Sequence, residues 1–231
     1  MWGSAGDDAA ATPDGTAAAT RLDELTTVVL APNPSPATLD GTNTYLVGAP
    51  GAGAVVVVDP GPDLVEHRRA VEAAAAGRDA AVAAVVVTHH HDDHAQAAGW
   101  AGAWSARLLA WAPRMVGHPG ATPLADGRWL AVAGVRLQVL HTPGHCRDHV
   151  CLRVGGTGVV LTGDHVLGRG TTTVGWPDGD MGSYLASLRR LRRSGATALY
   201  PGHGPAVGDA RARVDDYLAH RRERARQVLA A

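Results

Sequence analysis

The 231-residue sequence contains no lysine, no phenylalanine and no isoleucine. Every basic side chain apart from histidine is therefore arginine, and a core has to be packed from valine, leucine, alanine and tryptophan. The skew towards Ala, Val, Gly and Arg has the look of codon bias in a GC-rich bacterial genome. Cysteine is nearly as scarce. Cys146 and Cys151 are the two present, which excludes a disulfide-stapled scaffold. Five residues apart around a strand start, they are expected to face opposite sides and stay unpaired, and two free thiols fit a reducing cytoplasm. No apolar run approaches membrane-spanning length, and no basic segment followed by an apolar one opens the chain, so neither a span nor a secretory leader is expected. The formal net charge of −1 excludes a global pull towards nucleic acid or anionic lipid. There is no G-x-S-x-G segment, hence no serine nucleophile elbow. No domain linker or tandem repeat breaks the chain. Residues 1–20 show no hydrophobic period and are expected to be a disordered tail, with one domain over 21–231.

What the chain has instead is histidine, twelve in all, concentrated in His89-His90-His91-Asp92-Asp93-His94. This stretch follows an apolar, β-branched run over 81–88 and opens into Ala95-Gln96-Ala97-Ala98, which places it on a loop between a buried strand and a helix. In extended backbone alternate side chains share a face. His89 and His91 can therefore converge on one metal ion, Asp93 and His94 on a second beside it, while His90 and Asp92 face away. Imidazole with carboxylate suits zinc, and iron or manganese as well.

The rest of the chain supplies more ligands in the same way. A strand is expected at 26–30, a hairpin pair at 43–47 and 54–58, and a helix at 64–76 that is stopped by Gly77 and completes a β-α-β unit with the strand before His89. Trp100 and Trp104, at i,i+4 spacing, are expected in the core. A hairpin over 129–132 and 135–140 leads to His141-Thr142-Pro143-Gly144-His145. Strands at 150–154 and 159–162 lead to Gly163-Asp164, and a short strand at 198–200 leads to Gly202-His203. Helices are expected at 183–193 and 209–230, the latter Arg-rich on its polar face. Four strand ends thus deliver metal-ligating residues through small-residue turns, three of them directly after a glycine. His89, His91 and His145 form one ligand set; Asp93, His94 and His203 form the other; Asp164, with two oxygens, can bridge both. Asp59, at the end of the second hairpin strand, either supports this loop by accepting hydrogen bonds or is a solvated turn residue.

Thr88-His89-x-His91-x-Asp93-His94, Thr142-Pro143-Gly144-His145, Thr162-Gly163-Asp164 and Pro201-Gly202-His203-Gly204, in that order, resemble the metallo-β-lactamase superfamily over residues 25–228. The resemblance implies a four-layer αββα sandwich with a dinuclear site at one edge of the sheets, and the same seven ligands. Asp164 as bridging ligand, with no cysteine near the second metal, is unlike the antibiotic-degrading β-lactamases. His91, where flavodiiron proteins carry glutamate, argues against a di-iron reductase. The segments 41–48, 167–172 and 217–224 are similar to the β-lactamase-like protein 2 subfamily, which includes a single-strand-specific endoribonuclease and thioesterases acting on carrier-bound polyketides. The chain departs from that subfamily in stopping at Ala231, short of a small winged-helix-like domain, and in carrying Cys146 where threonine commonly follows the ligand histidine.

These features predict metal-assisted hydrolysis by a water activated between two ions, with Asp93 and Asp164 as the catalytic carboxylates. Three functions are compared: a hydrolase of a small-molecule, coenzyme A-linked or carrier-bound ester or thioester; a phosphodiesterase cutting single-stranded RNA, gripped by Arg211, Arg213, Arg221, Arg222, Arg224 and Arg226; and a non-catalytic scaffold. Asp209, Asp215, Asp216 and Glu223 interleave with those arginines, which favours a solvated amphipathic helix and ranks RNA second. All seven ligand positions are filled, which ranks the scaffold last. His149 and His165 are candidates for supporting contacts or strand-edge packing. Arg169 and the threonines at 171–173, Thr172 among them, are candidates for substrate contact at the entrance. His67, His118, His141 and His220 read as surface or packed histidines.

Overall fold

Two β-sheets stack face to face with helices on both outer surfaces in the computed structural model, which describes residues 19–230. The first sheet holds β1 (Ala19–Arg21), β2 (Thr26–Leu30), β3 (Asn43–Val47), β4 (Ala54–Val58), β5 (Ala81–Val87), β6 (Arg107–Ala110) and β7 (Thr122–Pro123) in chain order. β1 to β4 form an antiparallel meander, and β4 to β7 run parallel. In the second sheet β8 (Trp129–Val132), β9 (Val135–His141), β10 (Val150–Val154) and β11 (Val159–Gly163) are antiparallel neighbours, and β12 (Ala198–Pro201) pairs parallel with β11.

Strand alternation separates the layers. Leu46, Val55, Val57 and Val85 point outward and bury against Ala70, Val71 and Ala74 of helix α1 (Val65–Ala76), which links β4 to β5. Their neighbours Tyr45, Val47, Val56, Val58 and Val86 point inward and meet Leu137, Val139, Val150, Leu152 and Leu161 of the other sheet. Tyr45 and Tyr200 stack between the sheets, ring centroids 5.9 Å apart. Helices α4 (Met181–Arg193) and α5 (Ala210–Leu229) cover the far face, with Leu188, Leu191, Val214 and Tyr217 on Leu140, Cys151, Val160 and Leu199. This is the four-layer αββα sandwich expected.

Several details differ from the sequence-based expectation. Residues 1–18 lie outside the described residues, but Ala19 and Thr20, assigned to the tail, pair with Val29 and Val28 in β1. β6 and β7 were not anticipated. Arg107-Leu108-Leu109-Ala110 is too short a run to announce itself and is a strand because β5 offers it a parallel partner. The helix after His94 is three fragments: α2 (Asp92–Ala95), a 3₁₀ turn (Gln96–Gly99) and α3 (Trp100–Ala103). Gly99 and Gly102 weaken a continuous helix, and Gly61 diverts its backbone, accepting from the Ala97 N–H at 3.0 Å and donating to the His94 carbonyl at 3.2 Å. Helix α4 starts two residues early because the Asp180 carboxylate caps it, accepting from Ser183 N–H at 2.7 Å. Trp100 and Trp104 pack edge to face at 5.7 Å, their indole N–H groups donating to Asp63 and Glu72. Both cysteines are buried free thiols, and burial pushes Cys151 up to about 12. No helix among the described residues is long and apolar enough to cross a membrane.

Candidate metal centre

The ends of β5, β9, β11 and β12 meet at one edge of the sandwich. β5 releases its chain under tight control: the Asp59 carboxylate accepts from Thr88 N–H at 2.7 Å and from Thr88 Oγ1–H at 2.8 Å. His89 follows directly, and the single turn of α2 swings Asp93 and His94 back towards it. All seven predicted donors are brought together. His91 Nδ1 lies 3.1 Å from His89 Nε2 and 3.0 Å from His145 Nε2. His203 Nε2 lies 3.2 Å from His94 Nε2 and 3.0 Å from Asp93 Oδ2. Asp164 spans the two sets, Oδ1 at 3.3 Å from His94 Nε2 and 3.4 Å from His203 Nε2, Oδ2 at 3.8 Å from His145 Nε2. His90 and Asp92 face away as expected: Asp92 is exposed, and His90 Nδ1 pairs with Asp148 at 2.8 Å.

These spacings suit coordination. Four donors about 2.0–2.1 Å from a tetrahedral zinc ion stand about 3.4 Å from one another, close to the separations within each set. Asp164 Oδ1 is buried and lies near two imidazole nitrogens, yet no hydrogen bond satisfies it. A buried carboxylate oxygen without a donor is costly, and a cation in reach of both sets is what its surroundings accommodate. The ionisation pattern agrees. Burial holds His89 well below and His91 below the ordinary histidine range, leaving neutral rings with lone pairs to offer. Burial also opposes charge on His94 and His203, but the carboxylates around them prevail, raising His94 well above its usual value and His203 to about 9. Asp93 and Asp164 are correspondingly held low by these two histidines, against the effect of burial.

The outer nitrogen of most donor rings is also committed, which fixes ring orientation. His94 Nδ1 bonds to Asp59 Oδ2 at 2.9 Å, His203 Nδ1 to the Gly41 carbonyl at 3.0 Å, His145 Nδ1 to the Thr173 carbonyl at 2.7 Å, and His89 Nδ1 to Thr88 Oγ1 at 3.0 Å. Asp59 therefore holds both the loop and a donor ring. His149 is fully buried, bonds Thr142 Oγ1 at 3.0 Å and accepts the Asp164 N–H at 3.1 Å. Thr172 is buried and donates to the Asp164 carbonyl at 2.8 Å, so it braces that residue rather than facing the entrance. Arg169 is likewise no free substrate contact, its guanidinium being committed to Asp40 in a two-pronged pair at 2.6 and 2.7 Å. His165 is buried with neither ring nitrogen bonded, and burial lowers it to about 3. His67 is packed, sharing a 2.8 Å hydrogen bond with Thr44 Oγ1.

Glycine matters most at two turns. A Cβ on Gly202 would stand 2.6 Å from His94 Cε1 and 2.7 Å from Asp164 Oδ1; one on Gly144, at φ +140°, would meet the Tyr184 backbone at 2.3 Å. Sequence reasoning missed Asn43, whose side-chain amide donates to the Pro201 and Gly204 carbonyls at 2.9 and 2.8 Å and holds the His203 turn. Arg213 and Arg221, named from the sequence as candidate phosphate grips, instead reach back from α5 to the Leu167, Gly170 and Thr172 carbonyls on the segment leaving Asp164. Nothing local distinguishes these arginines from their solvated neighbours; only the packing of α5 does. A surface groove of about 540 Å³ is lined by Ala19, Arg21, Ala70, Ala74 and Arg78, none of them a donor.

A family model described as Metallo-beta-lactamase superfamily matches residues 37–107 and 126–203. The Beta-lactamase-like protein 2 homolog of Caenorhabditis elegans is 32% identical over 218 residues, covering 90% of this chain and 71% of that protein. An atrochrysone carboxyl ACP thioesterase of Aspergillus chevalieri is 34% identical over 213 residues, covering 88% and 64% respectively. Among solved structures, a metallo-beta-lactamase family protein from Thermus thermophilus aligns with a TM-score of 0.78 at 29% identity, covering 91% of this chain and 83% of that one.

Proposed function

The chain belongs to the metallo-β-lactamase superfamily, and we propose that within it the protein is a dinuclear metal-dependent hydrolase of esters or thioesters, acting on an acyl group carried by coenzyme A or an acyl carrier. The observation that carries the reading is the division of seven donors into two sets joined by one carboxylate. His89, His91 and His145 would hold one ion and Asp93, His94 and His203 the other, with Asp164 touching both. Zinc fits best, iron or manganese being the alternatives. Bound there, the ions supply an acidified water and a Lewis-acidic pull on the scissile carbonyl.

The remaining work falls to the chain itself. His94 and His203 are almost wholly buried, whereas the Asp93 side chain is 29% exposed. Asp93 is thus the group of its set that meets solvent, placed to orient an attacking water and accept its proton. Asp164 is restrained at its N–H by His149 and at its carbonyl by Thr172, so its carboxylate keeps its aim through the reaction. Two buried free thiols support a reducing, cytoplasmic setting. The name of the Aspergillus relative supports a thioester over a phosphodiester.

The test is metal analysis with activity. Purified protein should hold close to two equivalents of metal, chelation should abolish thioester hydrolysis, and Asp164→Ala should lower kcat/KM by about a hundredfold or more. An Asp164→Ala enzyme as fast as the parent would end the proposal.

A further inference from the structure

Charge is segregated along this chain. Helices α4 and α5 carry ten of the 21 arginines and three of the 22 carboxylates, a formal +7 against −8 over the remainder. The structure concentrates part of that excess. A groove of about 470 Å³ between α4 and α5 is lined by Arg189, Arg192, Arg193 and Arg222, with Asp215 and Leu218. Asp215 is engaged by Arg192. Arg189, Arg193 and Arg222 are exposed and form no ion pair among the described residues. Guanidinium groups converging on one concavity with one counter-charge repel each other, and an anionic surface seated there relieves the repulsion.

The groove is also connected to the donor cluster. Arg221, the residue before Arg222, bonds the Thr172 carbonyl, and Arg213 bonds the Leu167 and Gly170 carbonyls at 3.0 and 2.9 Å. Thr172 in turn holds Asp164. Helix α5, which lines the groove through Asp215, Leu218 and Arg222, is therefore tied through Arg213 and Arg221 to the segment that follows Asp164.

We propose that the α4–α5 arginine groove is the docking surface for an acidic carrier protein that presents the acyl thioester to the donor cluster. The proposal rests on the thioesterase reading and adds the partner to it. An acidic protein face suits the groove better than an extended nucleic acid. Asp215, Asp216 and Glu223 are set among the arginines, and the net −8 elsewhere repels a polyanion running beyond the two helices, whereas a compact acidic face meets only the positive patch. Carrier-protein thioester chemistry is also what the name of the Aspergillus relative records.

The experiment compares the parent enzyme with Arg189→Glu/Arg193→Glu/Arg222→Glu and with the milder Arg→Gln triple at the same positions. Fluorescence anisotropy reads binding of a labelled acidic acyl carrier protein, and kinetics are measured on an acyl group attached to that carrier and on the same group as its N-acetylcysteamine thioester. Binding to the parent should weaken steeply between 50 and 200 mM salt, and the Glu triple should weaken it by about tenfold or more, the Gln triple by less. KM for the carrier-bound substrate should rise in parallel while kcat/KM for the small thioester stays at the parent value, which also certifies the fold. Carrier affinity equal in parent and variants, or absent in both, overturns the proposal. So does single-stranded RNA binding the groove in the carrier's place. Failure of every form to hydrolyse the small thioester would instead refute the thioesterase reading, and the binding measurement would still decide the docking surface.

Discussion

Replacing Asp59 with asparagine should weaken metal binding at one of the two donor sets and cost the fold a comparable amount. Asp59 sits at φ +52°, a conformation asparagine also tolerates, so the backbone is not strained by the exchange. The residue is 2% exposed, and its carboxylate serves three donors: Thr88 N–H on Oδ1, Thr88 Oγ1–H and His94 Nδ1 on Oδ2. An amide retains one acceptor and turns an NH₂ towards the other donors. If the NH₂ faces His94, the ring must present Nδ1 as acceptor and carry its proton on Nε2, the atom 3.2 Å from His203 Nε2 and aimed into the second donor set. A ligand nitrogen must be free of its proton, so that set loses affinity. Disturbing a support of this kind costs about 10–100-fold in metal affinity. One mismatched buried contact costs about 1–3 kcal/mol of stability, which for a domain of this size lowers Tm by about 2–12 °C. Zinc titration against a competing chelator, run at alkaline pH to reduce proton competition at His94, should show one tight and one weakened equivalent. Two equivalents bound with parent affinity in Asp59→Asn would refute the argument that Asp59 fixes the His94 ring.

Gly202→Ala should fold but lose metal and activity together, because its Cβ would intrude on His94 and Asp164; full metal content by elemental analysis would contradict that contact. Metal loading at pH 7.5 should release protons, since His203 in the metal-free chain titrates at about 9 and His94 is raised as well. Calorimetry in two buffers of different ionisation enthalpy should give different heats, and identical heats would exclude the displacement. His67 is buried and neutral, with its pKa lowered by burial to about 4 from 6.5. Its contribution, about 3 kcal/mol, is present above pH 6.5 and lost as pH falls towards 4; denaturant melts of chelator-treated protein should weaken across that window, and His67→Gln should flatten the acid limb. His203 acts with the opposite sign. In the metal-free chain its stabilisation is complete below pH 6.5 and fades as pH rises through about 9, so the same melts should weaken again on the alkaline side.

The sequence alone was sufficient for the metal-ligand candidates and the layered architecture, because both are written in local patterns. Alternating apolar side chains along β3, β4 and β5 bury one face against α1 and the other against the second sheet, and the donors lie where strands end, three of them directly after a glycine. The turn after His94 was less legible, since Gly61 competes for the backbone of a segment whose own propensity reads as helix. β6 was invisible for the complementary reason: four residues acquire strand geometry from a neighbour distant in sequence. Roles at the rim were decided by tertiary structure alone. Arg169 and Arg221 are indistinguishable as sequence, yet one meets Asp40, 129 residues away, and the other a carbonyl 49 residues away. A long charged side chain takes the partner that packing places within its reach, and that placement is set by how two helices lie on a sheet, which no local pattern encodes.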